Sequence, residues 1–357
     1  MPMTGAVREI RAHPRASVAM HGLVVLLAAT ACLGFALLAG CGGGDDGHQR
    51  GVLHVGLVFD VGGLGDKSFN DLAYAGLMRA HDEVGISFEY FEPTQSSERE
   101  GALRLFAQGD AELIIGVGFL FTDDIRAVAE DFPDKYFICI DYTWTEGDSV
   151  PANLVGLKFR EEEGSFMVGA MAAMVSETGV IGFVGGMDIP LIHKFEAGYR
   201  AGALHVNPGM RVMVNYAGVT DMAFKNPSKG KELGLAQYEQ GADIIFHASG
   251  STGLGVFEAA REKDKLAIGV DADQSAEAPG LILTSMIKNV DLAVFEQIRR
   301  TIEGSFEGGV LVLGLREGAV GYIRNESNEQ WLTPEIVARL DGIRDAIVAG
   351  SITVPIK

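Results

Sequence analysis

Short apolar runs rich in β-branched residues alternate with amphipathic stretches from residue 52 onward, and this alternation most constrains the fold. Most runs are almost continuously apolar, which is typical of parallel strands covered by helices on both faces. The alternation predicts a doubly wound α/β architecture. There are too many strands for one compact sheet, so we expect two. The predicted strands cover residues 52–60, 111–118, 135–141, 153–159, 179–186, 211–218, 242–249, 266–273 and 281–288.

The stretches between these runs have the apolar spacing of helices. At the last helix, Thr333 is expected at the N-cap, Pro334 in the first turn and Gly350 beyond the end. A break between lobes is expected near residue 158, where a strand lacks the usual loop before the next helix. Helices are predicted over residues 69–84, 160–177, 190–206, 229–241, 289–304 and 333–352.

The first forty residues have the layout of a secretory signal. A basic region with Arg8, Arg11 and Arg15 precedes an apolar run over 22–40. We therefore expect residues 1–40 to be a leader that lies outside the fold.

The sequence Leu-Ala-Gly-Cys that ends at Cys41 resembles the lipobox of bacterial lipoproteins. That resemblance implies cleavage before Cys41, a lipid on its thiol, and a glycine-rich tether over 41–51. An uncleaved membrane anchor is the alternative, because about 19 apolar residues can span a bilayer.

Charge and cysteine usage exclude several function classes. The net charge of −19 argues against nucleic acid as a partner. Cys139 lies in the apolar run 135–141 and is expected to be a buried core thiol. With Cys41 lipidated, no cysteine pair remains for a disulfide.

Aspartates and aromatic residues follow the predicted strands, whose carboxyl ends should share one edge of each sheet. Carboxylates accept hydrogen bonds from hydroxyl and N–H groups, and rings stack on flat faces. A ligand with a vicinal diol and a flat heterocycle would use both. Taken singly, each aspartate is more typical of a helix cap or turn, and each ring of a core. The acidic residues Asp60, Asp66, Asp141 and Asp271 indicate a neutral or cationic ligand.

Catalytic, cofactor and metal motifs are weak in this sequence. It contains neither G-x-S-x-G nor H-E-x-x-H, and its histidines are scattered, so we expect no enzyme. The segment 62–68 differs from a phosphate-binding loop because Asp66 precedes the lysine. The carboxylates near Asp60 are too few for a calcium cage. We expect neither a cofactor nor a metal.

Several segments resemble the basic membrane protein family, which comprises substrate-binding lipoproteins of ABC transporters similar to purine nucleoside receptor lipoproteins. They are "VGLVFDVGGLGDKSFND", "FEAGYRAG", "NPSKGKELGLAQYEQGADIIFHASGSTGLGVFEAA", "IGVDADQ" and "LTSMIKNVDLAVFE". The resemblance implies a type I periplasmic-binding-protein fold with two α/β lobes joined by three crossings. It places 52–158 and 274–312 in the first lobe, and 159–273 and 313–357 in the second.

The resemblance also implies a nucleoside ligand, with a purine nucleoside favoured, between the lobes. Phe69 is then expected to stack on the base, and Asn70 beside it to form hydrogen bonds. Asp141 should read an edge of the base, while Asp271 and Lys288 hold the ribose hydroxyls.

The rest of the expected site is less specific. Asp60 should lie nearby, and Gly250 and Gly253 should let the backbone approach the ligand. Phe195 and Phe224 are alternatives for the second stacking ring. The chain departs from the family pattern at four positions: Lys225 and Asn226 replace Asn and Asp, and Ser249 and Ser251 replace the common Ala and Gly.

The sequence thus favours a monomeric, lipid-anchored binding protein on the extracytoplasmic (periplasmic) side of the membrane. Its two lobes are expected to close on a nucleoside, and the closed form to deliver it to an ABC permease. The alternatives are a binding protein for another neutral polar ligand such as a sugar, a secreted hydrolase acting on nucleosides, and a sensor that signals through a partner kinase.

Overall fold

The computed structural model describes residues 7–10, 51–60 and 62–357, and arranges them in two α/β lobes. In these ranges the strands are β1 (Val7–Ile10), β2 (His54–Val58), β3 (Ser87–Phe91), β4 (Leu113–Val117), β5 (Tyr136–Ile140), β6 (Leu154–Phe159), β7 (Val180–Met187), β8 (Arg211–Gly218), β9 (Ile244–Ala248), β10 (Leu266–Asp271), β11 (Ile282–Lys288), β12 (Gly309–Leu313) and β13 (Val320–Tyr322).

The helices in the same ranges are α1 (Phe69–Val84), α2 (Arg99–Gln108), α3 (Thr122–Asp131), α4 (Glu161–Val175), α5 (Pro190–Val206), α6 (Pro227–Glu239), α7 (Thr252–Lys263), α8 (Val290–Ile302) and α9 (Pro334–Val348). Helix α9 begins as expected, because the Thr333 side chain accepts a hydrogen bond from the Ile336 N–H.

Each lobe is built on one mainly parallel sheet. The first sheet has the order β1-β3-β2-β4-β5-β6-β12, and the second β13-β11-β10-β9-β7-β8. Only β1 and β13, at the sheet edges, pair antiparallel. The central strands β4 and β9 are buried along their whole length, as their unbroken apolar sequences require. This architecture confirms the predicted fold class.

All nine predicted strands overlap observed ones, whereas β1, β3, β12 and β13 were missed, as were α2, α3 and α7. Strand β3 carries a serine and a glutamate among its aromatics, so it has no continuous apolar run, whereas β12 is continuously apolar in sequence but only half-buried. Strand β1 lies within the predicted leader and pairs with β3. The rest of the leader and residues 41–50 of the tether, including Cys41, lie outside the described residues.

The chain crosses between the lobes three times, at positions that differ in part from those expected. The first crossing follows Phe159 and the third joins β12 to β13, close to the expected boundaries. The predicted position of the second crossing was wrong. Strand β11 pairs with β10, so this segment of the second lobe extends to Lys288 instead of ending at residue 273. Helix α8 then packs on α1 of the first lobe. An apolar run does not reveal which sheet will accept it.

Helices α4 and α5 pack backbone against backbone in the second lobe. A Cβ atom on Gly169 of α4 would lie 2.0 Å from the Tyr199 carbonyl oxygen of α5. Reciprocally, a Cβ on Gly202 would lie 2.0 Å from the Phe166 oxygen. The close approach holds the start of α4, which adjoins the first crossing, against α5.

We expect Gly169→Ala to lower the free energy of unfolding by about 1–3 kcal/mol, because the new methyl group overlaps the facing backbone. The matched control is Gly342→Ala in α9, where a Cβ meets no atom within 4 Å. This control should raise stability by about 0.5–1 kcal/mol through helix propensity. Urea unfolding of both variants measures the effect, and equal shifts in the two would contradict the packing argument.

Candidate functional site

A cavity lies between the lobes, where the carboxyl ends of the central strands of both sheets converge. This is the position expected for ligands of open α/β sheets. Nine of the ten predicted ligand-binding residues line it: Asp60, Phe69, Asn70, Asp141, Phe195, Phe224, Gly250, Asp271 and Lys288.

Gly253, the tenth, lies behind the cavity wall. A Cβ atom there would stand 2.0 Å from Cε1 of the buried His247 ring. Gly253 therefore makes room for the imidazole ring of His247, and not for a ligand as the sequence had suggested.

Asp141 and Asp271 occupy equivalent places in the two lobes, at the ends of β5 and β10. Both have left-handed backbone conformations, with φ of 60° and 64°. Such a conformation is unfavourable for residues with a side chain, and residues that adopt it cluster at functional sites. It turns each chain sharply at the strand end, and both carboxylates line the cavity.

The Lys288 ammonium lies between these carboxylates and is 2% exposed. Its Nζ atom is 2.7 Å from Asp141 Oδ2 and 3.1 Å from Glu161 Oε1. It also lies 5.0 Å from the ring centroids of Phe69 and Phe159. Burial alone lowers the pKa of Lys288, but the surrounding carboxylates outweigh it and raise the pKa above its usual value. The lysine is therefore a permanent cation on the cavity floor.

A second buried cation, Lys194, continues this network toward the first crossing. It pairs with Glu161, lies 3.3 Å from Glu162, and donates to the Phe159 carbonyl. Burial would raise the pKa of Glu161, but Lys194 and Lys288 together lower it. Sequence reasoning missed Glu161 because its position in the first turn of α4 is also that of an ordinary helix-capping acid.

The remaining carboxylates are held less firmly in their charged form. Burial raises the pKa of Asp141, and Lys288 partly opposes it. Burial raises the pKa of Asp271 to about 7, against the opposing effects of Lys288 and Ser68. The Ser68 hydroxyl donates to Asp271 Oδ2 at 2.5 Å. Asp271 is therefore poised to change its protonation state near neutral pH.

The loop 62–68 is organised by Asp66, which is buried and caps α1. Its carboxylate accepts hydrogen bonds from the backbone N–H groups of Ser68 and Asn70, both at 2.9 Å. It also accepts from Asn70 Nδ2 at 3.0 Å, while Asn70 Oδ1 accepts from the Asp60 N–H at 3.2 Å. The amide of Asn70 thus fixes the cavity wall from within the protein.

The three predicted aromatic residues differ in exposure. Phe69 and Phe224 are half-buried and come from opposite lobes, from α1 and from the turn after β8. Phe195 is 3% exposed and packs into the core of the second lobe. Phe224 approaches the backbone of Gly186, where a Cβ atom would lie 2.2 Å from its ring. Of these three residues, Phe69 and Phe224 therefore keep part of their surface exposed.

Sequence reasoning did not select several further lining residues, of which Phe119, Asp221, Ser249 and Ser251 carry polar or aromatic groups. Each follows a strand, so the position was visible in the sequence. Their orientation toward the cavity depends on the turns in which they lie.

Two further findings concern the described part of the chain. Among these residues no group of three or more His, Cys, Asp and Glu side chains is arranged to hold a metal ion. No helix within 51–60 and 62–357 combines the length and apolarity needed to cross a membrane.

Comparison with known proteins decides the family, because residues 53–357 match ABC transporter substrate-binding proteins of the PnrA-like type. The chain belongs to this PnrA-like (Bmp) family. It is 34% identical over 349 residues to the CD4+ T-cell-stimulating antigen of Listeria innocua, with 90% of this chain and 95% of that protein covered. It is 34% identical over 305 residues to basic membrane protein A of Borreliella burgdorferi, with 84% and 87% covered. The resemblance seen in the sequence is confirmed.

A solved structure resembles the two lobes of this PnrA-like protein. It is a solute-binding protein of an ABC transporter system from Aeropyrum pernix, with a TM-score of 0.77 and 29% identity. The similarity covers 85% of this chain and 94% of that one. The protein therefore belongs to the class of ABC transporter substrate-binding proteins, and its family is not a family of enzymes.

The two lobes of the PnrA-like protein touch across the cavity. Ser68 of the first lobe donates to Asp271 of the second, and Gln274 Nε2 donates to the Lys67 carbonyl at 3.0 Å. At the rim, the Ser96 hydroxyl donates to Asp221 Oδ2 at 2.5 Å. These bonds join residues more than a hundred positions apart, and they correspond to a closed arrangement of the lobes.

Asp271 gives the free protein a characteristic pH dependence. Its folded pKa of about 7 exceeds the usual value of 3.8 for an aspartate, so between these values the folded state binds more protons than the unfolded state. Its contribution to stability is full below the unfolded pKa and is lost as pH rises through about 7.

Asp271→Asn removes this contribution while keeping the side-chain shape. We expect the stability of the variant relative to wild type to rise by on the order of 4 kcal/mol between about pH 4 and about pH 8. Urea unfolding of both proteins at the two pH values, without ligand, measures the change. A difference between the proteins that does not depend on pH would contradict the assignment.

Proposed function

We propose that this protein binds a nucleoside, with a purine nucleoside favoured, between its lobes and delivers it to an ABC permease. The observation that carries the proposal is the pair of half-buried rings, Phe69 and Phe224, which come from opposite lobes to line one cavity. Asp141, Asp271 and Lys288 line the same cavity.

The aromatic pair suits a flat heterocycle. Stacking of a base on an aromatic ring contributes about 1–3 kcal/mol, and two rings from separate lobes can cover both faces. Both rings line the same cavity between the lobes. Phe195, buried below, would support the floor instead of stacking.

The polar floor suits a ribose and the edge of a base. Asp271 and Lys288 together offer an acceptor and a donor, which is what a vicinal diol requires. Asp141 would accept from an N–H group of the base. The carboxylates on the cavity wall, among them Asp60, Asp66 and Asp141, would repel phosphate, so a nucleoside fits better than a nucleotide.

Closure would couple binding to transport. The hydrogen bonds between the lobes form only when the lobes meet, so a ligand that contacts both walls favours the closed state. The closed form would then dock on the permease as a monomer, on the extracytoplasmic side of the membrane.

The stacking proposal predicts which substitutions weaken binding. Phe69→Leu and Phe224→Leu keep most of the apolar volume and remove the ring, so each should weaken inosine binding about fivefold to a hundredfold. The control is Phe306→Leu, a half-buried ring that packs on Tyr136 away from the cavity. Isothermal titration calorimetry with inosine, uridine, adenine and ribose measures the affinities. Nucleoside binding that survives both substitutions, or binding of ribose alone, would overturn the proposal in favour of a sugar-binding protein.

We also propose that a lipid on Cys41 anchors the protein to the membrane. Two relatives, from Pyrococcus furiosus and Pyrococcus abyssi, are named as lipoproteins, which supports this reading of the lipobox. We expect Cys41→Ser to move the protein from the membrane to the soluble fraction without loss of nucleoside binding. Fractionation with mass spectrometry of the N-terminal peptide tests this, and an unmodified Cys41 peptide in the membrane fraction would contradict it.

A further inference from the structure

A chain of buried polar side chains lies behind the cavity wall of the second lobe, and the ion pairs of the floor do not include it. It runs from the Lys67 carbonyl through Gln274 and His247 to Ser249, which lines the cavity. We propose that Ser249, oriented by His247, is a specificity-determining hydrogen-bond acceptor that reads a donor group of the ligand. This inference rests on the proposed nucleoside-binding function.

The orientation of the Gln274 amide is fixed by two backbone groups. The Val270 N–H, which can only donate, lies 2.8 Å from Gln274 Oε1. The Lys67 carbonyl, which can only accept, lies 3.0 Å from Gln274 Nε2. The side-chain oxygen and nitrogen therefore cannot be exchanged without losing both bonds.

This amide in turn fixes the tautomer of His247. The imidazole Nε2 lies 3.1 Å from Gln274 Oε1, so Nε2 carries the hydrogen and donates. The ring is fully buried, packs edge-on to Phe257 at 4.9 Å, and fits over Gly253. Burial lowers the pKa of His247 to about 4, so the ring is neutral at physiological pH and its Nδ1 is an acceptor.

Ser249 supplies the hydrogen that Nδ1 accepts. Its Oγ lies 3.4 Å from Nδ1 and, with Nδ1 unprotonated, the serine donates. The single hydroxyl hydrogen is thereby committed, and only lone pairs of Oγ remain for the cavity. A serine without this partner can either donate or accept, so the histidine converts an ambivalent group into an acceptor.

Ser251 strengthens the same polarity on this wall. Its hydroxyl donates to the Phe224 carbonyl at 3.0 Å, and the residue also lines the cavity. The hydroxyl oxygens of Ser249 and Ser251 are therefore both acceptors. Removing the matching donor from a ligand would leave a buried acceptor unpaired, which is a costly state.

The test is a set of binding measurements on the purified full-length protein with inosine analogues. Each hydroxyl is replaced in turn by fluorine, which removes the donor at nearly constant size, and the base N–H is methylated. In wild type, one of these replacements should weaken binding about fivefold to a hundredfold. In Ser249→Ala the penalty at that same position should fall below about twofold, while Ser275→Ala, outside the cavity lining, should keep it.

A spectroscopic measurement examines the positioning role of His247 independently of affinity. Histidine-labelled protein should show the His247 ring as the neutral Nε2–H tautomer at neutral pH, in wild type and in Ser249→Ala. An Nδ1–H tautomer or a charged imidazolium would overturn the inference. So would penalties that are the same in wild type and in Ser249→Ala at every ligand position.

These results separate the inference from the function on which it rests. Binding of inosine that depends on Phe69 and Phe224 but not on Ser249 would refute only the role of Ser249. Failure of every nucleoside to bind wild type would refute the proposed function, and the inference with it.

Discussion

The arrangement of the cavity depends on the ion pairs that the buried ammonium group of Lys288 forms. It stands at the end of β11, where the chain returns to the first lobe, and pairs with Asp141 across the cavity and with Glu161 beside the first crossing. A cation that is 2% exposed cannot stay charged without such partners. Glu161 also pairs with Lys194, which donates to the Phe159 carbonyl, so the cavity floor and the first crossing share one electrostatic network.

That network explains why the floor sits at the joint between the lobes. Glu163, two residues beyond Glu161, accepts a hydrogen bond from the Leu315 N–H at 2.8 Å, in the third crossing. One turn of α4 therefore touches elements that adjoin all three crossings. If Lys288 moved on ligand binding, the carboxylate of Glu161 would transmit the movement to the first crossing, because it pairs with both Lys288 and Lys194.

Much of the fold and part of the site were predictable from the sequence, for identifiable reasons. Continuous apolar runs mark buried parallel strands, and Asp141 and Asp271 follow such runs, so both could be placed at the cavity. Glu161, His247 and Gln274 could not, because their roles depend on partners far away along the chain. The predicted boundary at residue 273 was wrong because hydrophobicity shows that β11 is buried but not beside which strand. Gly253 was assigned to the ligand although it accommodates a ring of the protein itself.

Periodicity and local motifs indicated the two-lobed α/β architecture, the family, and the residue types that gather at the strand ends, because they are properties of neighbouring residues. Tertiary packing leaves Phe224 half-buried and buries Phe195. It alone brought Lys288 and Lys194 into one cluster with Glu161, and gave Ser249 a histidine that uses its hydrogen. These outcomes follow from packing between segments distant in the chain, which fixes exposure, charge and hydrogen-bond polarity.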